Sequence, residues 1–173
     1  MPRKPIVDLD KIDLNKVVVT IEDIRKVIPH RYEFEMLSGI LFVDRDKQKI
    51  VAYKDVRKDD FWARGHLPGR PIMPGVLIAE AAAQMTCYLA MSLAENCPFI
   101  GFARLDEVRF RKQVLPPCKL ILMAEFESLS SRRVISNCQA YVDSALVFEG
   151  KITGMRLPDP DSPVDSQSFY ESQ

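Results

Sequence analysis

The sequence has few of the residues that build metal centres, and neither sign of charge is in excess. It contains two histidines and four cysteines in 173 residues, with no Cys-x-x-Cys pair. This pattern argues against a zinc site and favours free cysteines in a reducing compartment. Basic and acidic residues number 24 each, so the zero net charge gives no indication of a nucleic acid partner. We therefore expect no metal, no other cofactor and a cytoplasmic location.

Long apolar runs are also scarce. The first 15 residues lack the apolar segment of a secretory signal, and one extended apolar run, at residues 76–93, is prominent. Glu80 and Gln84 interrupt that run and no interfacial anchors flank it, which argues against a membrane span. A helix that is apolar on all faces is typical of a buried core element, so we predict a central helix that needs cover on every side.

The order of the predicted elements indicates one α+β domain. A short helix opened by Thr20 precedes a hairpin with strands at residues 36–45 and 49–56, and the apolar helix follows. At least four strands are expected after it, at residues 99–111, 119–128, 133–143 and 145–155. One helix against several antiparallel strands is an α+β arrangement. We expect residues 1–15 to be an extension, 16–157 the domain and 158–173 an unstructured tail.

The stretch from Gly65 to Gln84 carries the candidate chemistry. A Gly/Pro-rich loop bearing His66 leads into the apolar helix, whose N-terminus is predicted at Gly75. Glu80 and Gln84 are four residues apart and so lie on one face of that helix. A carboxyl group on a core helix needs a partner, and His66 is the nearest candidate in sequence. A histidine, a carboxyl group and helix N-terminal amides are the parts of acid–base catalysis on a carbonyl compound, although spacing alone leaves a structural ion pair equally open.

Two further residues are interpreted as structural. His30 lies in a loop beside Pro29, where a histidine more often makes structural hydrogen bonds than takes part in catalysis. The single tryptophan, Trp62, is expected in the core rather than in a binding surface.

Three segments together resemble a known family. They are Ile-Pro-His-Arg-Tyr at residues 28–32, the whole stretch from Gly65 to Gln84, and Val-Arg-Phe-Arg with a following Val-Leu-Pro within residues 108–116. The sequence resembles the FabZ-type 3-hydroxyacyl-(acyl-carrier-protein) dehydratases, in order, over residues 20–157. The resemblance implies a hot-dog fold, in which a sheet wraps the central helix. It also implies homodimers with shared active sites, commonly assembled as trimers of dimers, and acyl carrier protein as the partner that carries the substrate.

The resemblance also assigns roles to residues. It implies that His66 is the catalytic histidine, that Glu80 is the catalytic glutamate supplied by the partner subunit, and that the Gly75 amide holds the thioester carbonyl. Gln84, on the same face of the helix, is expected to contact Glu80 without touching the reacting atoms. His66 would remove the C2 proton, and Glu80 would protonate or orient the departing hydroxyl if burial keeps it protonated. Related FabA-type isomerising dehydratases carry aspartate at this position, so Glu80 favours dehydration without double-bond migration.

The sequence departs from the family pattern at several positions, but not at His66, Gly75 or Glu80. Glu33-Phe34 replaces Pro-Phe, residues 35–39 replace Leu-Leu-Val-Asp-Arg, and residues 62–64 replace two phenylalanines and a polar residue. Glu107 stands where a basic residue is usual, and Gln113 where proline is usual. Carrier proteins are acidic, so an exposed Glu107 would repel one. Arg109, Arg111 and Lys112 are candidate docking residues, although a basic stripe on a strand is often only a solvated face.

The leading interpretation is therefore a dehydratase that converts 3-hydroxyacyl-carrier thioesters to trans-2-enoyl thioesters in fatty acid or related lipid biosynthesis. Two alternatives stay open at this point: a hot-dog hydratase or thioesterase acting on coenzyme A thioesters, and a non-catalytic acyl-binding or scaffold paralogue. Acyl chain length is not encoded in any recognisable motif.

Overall fold

The protein is one antiparallel sheet around one long helix. The computed structural model describes residues 4–93 and 99–157, so the predicted tail at 158–173 lies outside the described residues. The helices are α1 (Ile21–Ile24) and α2 (Gly75–Ser92), and two short 3-10 helices occur at Leu9–Lys11 and Tyr32–Phe34. The strands are β1 (Gly39–Asp44), β2 (Lys49–Val56), β3 (Ile100–Phe110), β4 (Cys118–Leu129), β5 (Arg133–Val142) and β6 (Ala145–Arg156). The predicted helices, the hairpin and the four later strands are confirmed, and the strand ends differ from the predicted ones by at most three residues.

The strand order places two strands at the edges of the sheet. All neighbours pair antiparallel in the order β1-β2-β4-β5-β6-β3. The β1 edge receives a short bridge between Val19 and Ile40. The outer edge of β3 pairs with no strand in the described ranges, although β3 is 11 residues long. A long unpaired edge exposes a row of backbone donors and acceptors that can pair with another chain.

Helix α2 fills the concave face of the sheet, as its apolar composition predicts. It contacts five strands, from β2 to β6, and its middle section is buried from Ile78 to Ala90 with few interruptions. The interruptions form a stripe, because Val76 is 72% exposed and Glu80 and Ala83 are partly exposed. These positions recur every three to four residues, so they lie on one side of the helix. The chain therefore covers its central helix on all sides but one.

The N-terminal segment lies across the opposite, outer face of the sheet. There, five apolar side chains are buried in a second cluster separate from the main core: Leu41, Val51, Ile121, Met123 and Tyr141. Ile6, Val7 and Leu9 pack against this cluster. The side-chain amide of Gln139 accepts a hydrogen bond from the Ile6 amide at 2.9 Å and donates to the Lys4 carbonyl at 3.3 Å. The described part of the predicted extension is thus packed against the sheet, while its boundary with the domain stays a prediction.

Candidate active site

His66 is presented by a tightly hydrogen-bonded loop between β2 and α2. The loop turns back on itself because the His66 amide donates to the Trp62 carbonyl at 2.9 Å and the Ala63 amide donates to the Asp60 carbonyl at 2.9 Å. Trp62 is buried in the core, as predicted, and so anchors the start of the loop. The end of the loop is fixed to the strand connection after β3, since the Met73 amide donates to the Val114 carbonyl at 2.9 Å.

One hydrogen bond decides which nitrogen of His66 can act as a base. Nδ1 lies 2.8 Å from the carbonyl oxygen of Ile72. A carbonyl oxygen only accepts hydrogen bonds, so Nδ1 must carry the proton and donate it. In the neutral ring, Nε2 then keeps its lone pair. The loop therefore holds the imidazole in the tautomer whose outward nitrogen can take a proton from a substrate.

His66 opens onto a mostly apolar cleft of about 480 Å³ at the start of α2. The cleft is also lined by Gly75, Val76 and the ring of Phe110. The helix begins at Gly75, as predicted, so the first amides have no intrahelical acceptor and point outward with the positive end of the helix dipole. A Cβ added at Gly75 would lie 2.8–3.0 Å from carbon atoms of the Phe110 ring. Glycine at this position therefore allows the aromatic wall to approach the amide closely.

Glu80 lies in a different cavity, where a network of hydrogen bonds fixes its side chain. Gln84, which is buried, donates through Nε2 to Glu80 Oε1 at 2.7 Å and to the Phe34 carbonyl at 2.8 Å. Gln84 Oε1 in turn accepts from the Met36 amide at 3.0 Å. The predicted support of Glu80 by Gln84 is therefore present as a direct contact, and it ties the helix to the loop at residues 34–36.

His30, interpreted from the sequence as a structural loop residue, is the histidine beside Glu80. Its Nε2 lies 3.6 Å from Glu80 Oε1, and the two residues line the same cavity with Gln84 and Phe99. Burial lowers the pKa of His30 below its ordinary value of 6.5 and Arg31 acts in the same direction, while Glu80 opposes the shift. The imidazole is therefore held toward its neutral form.

Within one chain the structure does not bring His66 to Glu80, and the expectation that Glu80 acts from the partner subunit stays a prediction. Glu80 is paired with His30 and Gln84, and no residue that lines its cavity also lines the cleft of His66. The physical reason is that the loop places His66 at the first turn of α2, on the Phe110 end of β3. Glu80 faces the other end of β3, where Ile100, Gly101 and Phe102 line its cavity.

Two departures from the family pattern form polar contacts inside the chain. Glu35 accepts a bidentate pair of hydrogen bonds from Arg25, at 2.7 and 2.8 Å, which fixes the far side of the His30 loop. Gln113 accepts from Arg70 at 3.1 Å and so links the His66 loop to the end of β3. These substituted residues therefore have polar partners within the chain.

The three candidate docking residues differ in how they are held. Arg109 and Arg111 both contact Glu149, whose side chain is only 1% exposed; Arg109 Nη1 lies 3.5 Å from Glu149 Oε1 and Arg111 makes a direct hydrogen bond. A buried carboxylate needs such partners, so the two arginines have a structural role. Lys112 is exposed and lines the mouth of the His66 cleft. Glu107 is exposed as well, with its carboxylate 3.7 Å from Lys151.

Other features of the described residues bear on the chemistry that is open to the site. In residues 4–93 and 99–157, no group of three His, Cys, Asp or Glu side chains is arranged to hold a metal ion. No helix in those ranges is long and apolar enough to cross a bilayer. Burial raises the pKa of the Cys118 thiol, and Asp143 adds to this shift.

A six-stranded antiparallel sheet wrapped around one apolar helix, with acid–base groups at the two ends of an edge strand, defines a protein of the hot-dog class. The model of the FabA-like domain matches residues 28–151, and the chain belongs to this family. FabZ 3-hydroxyacyl-(acyl-carrier-protein) dehydratase of Chlamydia trachomatis is 38% identical over 144 residues, which cover 80% of this chain and 92% of that protein. The resemblance seen in the sequence motifs is therefore confirmed.

Solved structures agree on the fold. A chain of the dehydratase heterocomplex ApeI:P from Xenorhabdus doucetiae matches with a TM-score of 0.67 at 11% identity, over 86% of this chain and 95% of that one. The E. coli PaaI protein from the phenylacetic acid degradation operon matches with a TM-score of 0.55 at 13% identity, over 69% of this chain and 79% of that one. At such low identity these similarities establish the hot-dog fold alone.

Proposed function

We propose that the protein dehydrates 3-hydroxyacyl thioesters carried by acyl carrier protein to trans-2-enoyl thioesters, in fatty acid or related lipid biosynthesis in the cytoplasm. The observation that carries the proposal is the tautomer of His66. Its Nδ1 is committed to the Ile72 carbonyl, which leaves a basic Nε2 in an apolar cleft beside the start of a helix. The 38% identity to a FabZ dehydratase over most of the chain supports the same activity.

The two groups at the His66 cleft suit the first part of the reaction. Nε2 of His66 takes the proton from C2 of the substrate, and the electron pair of that C–H bond is delocalised from C2 onto the thioester carbonyl as an enolate. Negative charge develops on the thioester carbonyl oxygen at the same time. The Gly75 amide, with the dipole of α2 behind it, is placed to stabilise that oxygen without reorganising.

Glu80 suits the second part of the reaction. The C3–O bond breaks, the electrons from C2 complete the C2=C3 double bond, and the departing hydroxide takes a proton from Glu80 to leave as water. The carboxylate that forms is stabilised by the hydrogen bond from Gln84. The enzyme returns to its starting state when His66 loses its proton to water and Glu80 takes up a proton from water.

We propose that each complete site is shared between two copies of the chain. In one chain, the His66 cleft lies at the Phe110 end of β3 and the Glu80 cavity lies at the end with Ile100 and Phe102. If two β3 edges pair antiparallel about a two-fold axis, the Phe110 end of one strand meets the Ile100 end of the other. His66 and Gly75 of one copy then face Glu80 of the other.

The exposed stripe of α2 supports the same assembly. Val76, which is 72% exposed, lines the His66 cleft, and the stripe continues through Glu80 and Ala83. A second copy that pairs along β3 would cover this uncovered side of the helix. We also propose that the acyl carrier protein docks on Arg109, Arg111 and Lys112 at the mouth of the cleft, and that dimers assemble further as trimers of dimers.

The activity is tested with purified protein and 3-hydroxyacyl thioesters on acyl carrier protein and on coenzyme A, followed by enoyl absorbance. We expect the enoyl absorbance to rise as the 3-hydroxyacyl thioester is dehydrated, and to rise faster with the substrate on acyl carrier protein than with the substrate on coenzyme A. Release of free thiol would instead identify a thioesterase, and no turnover on either carrier would identify a binding protein. Replacing His66 by Ala should lower the rate on the order of 100-fold or more with the fold intact; a loss below tenfold would contradict its role as the base.

The shared site is tested by mixing two inactive variants, His66→Ala and Glu80→Ala, after unfolding and refolding them together. Half of the random dimers contain one chain of each kind, and one of the two sites in such a dimer is then intact. We expect about a quarter of the wild-type activity to return, by the symmetry of a two-fold dimer. Mixtures that stay at the level of the separate variants would show that His66 and Glu80 act within one chain or not together.

A further inference from the structure

We infer that His30 is a positioning residue for Glu80: its Nε2 faces Oε1 of Glu80 and donates a hydrogen bond to that oxygen as the carboxyl group loses its proton, which leaves the other oxygen, Oε2, to the departing hydroxyl. This inference rests on the proposed dehydration and goes beyond it, because the proposed mechanism uses His66 as the base and gives His30 no part. The contact that motivates it is the 3.6 Å approach of His30 Nε2 to Glu80 Oε1.

The environment of the ring determines where its proton lies. Nδ1 of His30 is buried and has no hydrogen-bond partner among the described residues, whereas Nε2 faces the carboxyl group of Glu80. A buried N–H without an acceptor is costlier and rarer than a buried lone pair without a donor. The neutral ring therefore places its proton on Nε2, where an acceptor is present. Full protonation would leave an unpaired Nδ1–H in a buried position, and the lowered pKa of His30 agrees with this.

Both donors approach the same oxygen of Glu80. Gln84 Nε2 donates to Oε1 at 2.7 Å, and the nearest approach of His30 Nε2, at 3.6 Å, is to the same oxygen. No described residue hydrogen bonds with Oε2. Two N–H groups directed at Oε1 favour it as the acceptor oxygen, so Oε2 is the oxygen left to meet the substrate and to carry the proton when the proposed step needs one.

The separation of 3.6 Å is longer than a hydrogen bond, and the reaction itself supplies the reason for it to shorten. Hydrogen bonds to a charged acceptor are shorter and stronger than those to a neutral one. When Glu80 gives up its proton, negative charge develops on the carboxyl group and attracts the His30 N–H. Catalytic contacts that are long before substrate binds and tighten afterwards follow this pattern. His30 thus faces Oε1 before the step and stabilises it most when the carboxylate has formed.

The loop that carries His30 is held firmly enough to position it. The guanidinium of Arg31 donates to three backbone carbonyls, those of Arg25, Ile28 and His30, at 2.6–2.8 Å. The bidentate contact between Arg25 and Glu35 closes the other side of the loop. The ring of His30 also lies 6.1 Å from that of Phe99. A side chain with this support has a defined direction toward Glu80.

The test replaces His30 by Gln or by Asn, because each of these side-chain amides places an N–H near one nitrogen of the imidazole ring. Gln places its Nε2 where His30 has Nε2, and Asn places its Nδ2 near the position of Nδ1. We expect His30→Leu and His30→Asn to lower kcat about tenfold with KM changed less than about twofold, and His30→Gln to keep at least half of the wild-type kcat. Thermal melting of all three variants verifies that the fold is retained. Equal losses in the Gln and Asn variants would overturn the inference.

A double-mutant cycle distinguishes action through Glu80 from a general effect on the site. In a Glu80→Gln background, the residual turnover measured at high enzyme concentration should fall less than about twofold on adding His30→Leu, because the group that His30 stabilises is gone. The same tenfold loss in both backgrounds would refute the positioning role. If turnover in the Glu80→Gln background is below detection, the Gln and Asn comparison decides. Lack of activity in the wild type, by contrast, would refute the proposed function and with it the inference that rests on it, and is distinguished from the outcomes above because no variant is needed to see it.

Discussion

The two cavities at the ends of β3 are built in opposite ways. The cleft of His66 is open and mostly apolar; one ring nitrogen and the amides at the start of α2 are among its polar groups, and Arg111, Lys112 and Gln113 also line it. The cavity of Glu80 is smaller and is organised by side chains: Gln84 donates to one carboxyl oxygen, and His30 lies 3.6 Å from that same oxygen. In the mechanism that we propose, one end offers the base and backbone donors, and the other offers the acid with its supports. The comparison therefore fits two unlike halves of one reaction site, each incomplete without the other half from a second chain.

The largest effect is expected when a residue that lines the His66 cleft, Arg111, is replaced. Replacing Arg111 by Met removes the closest partner of the buried Glu149, while the partly exposed Arg109 remains. Breaking a buried ion pair costs 3–5 kcal/mol, and since Arg111 is 41% exposed we expect about 2 kcal/mol in the free energy of unfolding. Urea denaturation measures it. The control is Lys112→Met, which removes an exposed neighbouring charge and should change stability by less than about 0.5 kcal/mol. Equal effects of both variants would mean that Glu149 does not depend on Arg111.

A smaller effect is expected from the glycine at the start of α2. Replacing Gly75 by Ala puts a methyl group 2.8–3.0 Å from the Phe110 ring, which is half exposed and can swing away into the cleft. We expect kcat/KM to fall about tenfold because the aromatic wall is displaced, with no loss of melting temperature. Gly65→Ala is the matched control, because nothing in the chain lies within 4 Å of its added Cβ. A Gly75→Ala enzyme as active as the control would show that the wall does not border the substrate.

The smallest effect is expected from the titration of His30 in the other cavity. Burial and Arg31 lower its pKa below 6.5, while Glu80 opposes this, so the unfolded chain takes up the proton at higher pH than the folded chain. Stability is then complete above pH 6.5 and declines as the pH falls from 6.5 toward the lowered pKa. The urea midpoint should fall less between pH 7.5 and pH 5.5 for His30→Gln than for the wild type. A steeper fall in the variant would reverse the sign of the argument.

Much of the fold could be predicted from the sequence because its signals are local. The apolar composition of residues 76–93, the Gly/Pro loop before it and the alternation after residue 99 predicted the helix, its start at Gly75 and the four later strands. Burial of Trp62 and the contact of Gln84 with Glu80 also followed from residue type and helical spacing. These features depend on neighbours within a few positions, so the sequence alone determines them.

The partner of Glu80 could not be predicted in the same way. His66 is 14 positions from Glu80 and His30 is 50 positions away, yet His30 is the one in contact. The one sequence signal for His30 was its place in the Ile-Pro-His-Arg-Tyr segment, which carries no information about distance. The course of residues 4–15 over the outer face of the sheet could not be predicted either. The apolar cluster that this segment covers is assembled from four strands that are separated in the sequence.

The amino-acid sequence by itself determined the secondary structure, the central helix and the set of chemical groups available for an acid–base reaction. Only the tertiary structure decided how those groups are divided, with His66 at one end of β3 and Glu80, Gln84 and His30 at the other. The reason is physical: helical and strand periodicity are set by adjacent residues, whereas the sheet order brings together side chains whose separation along the chain says nothing about their separation in space.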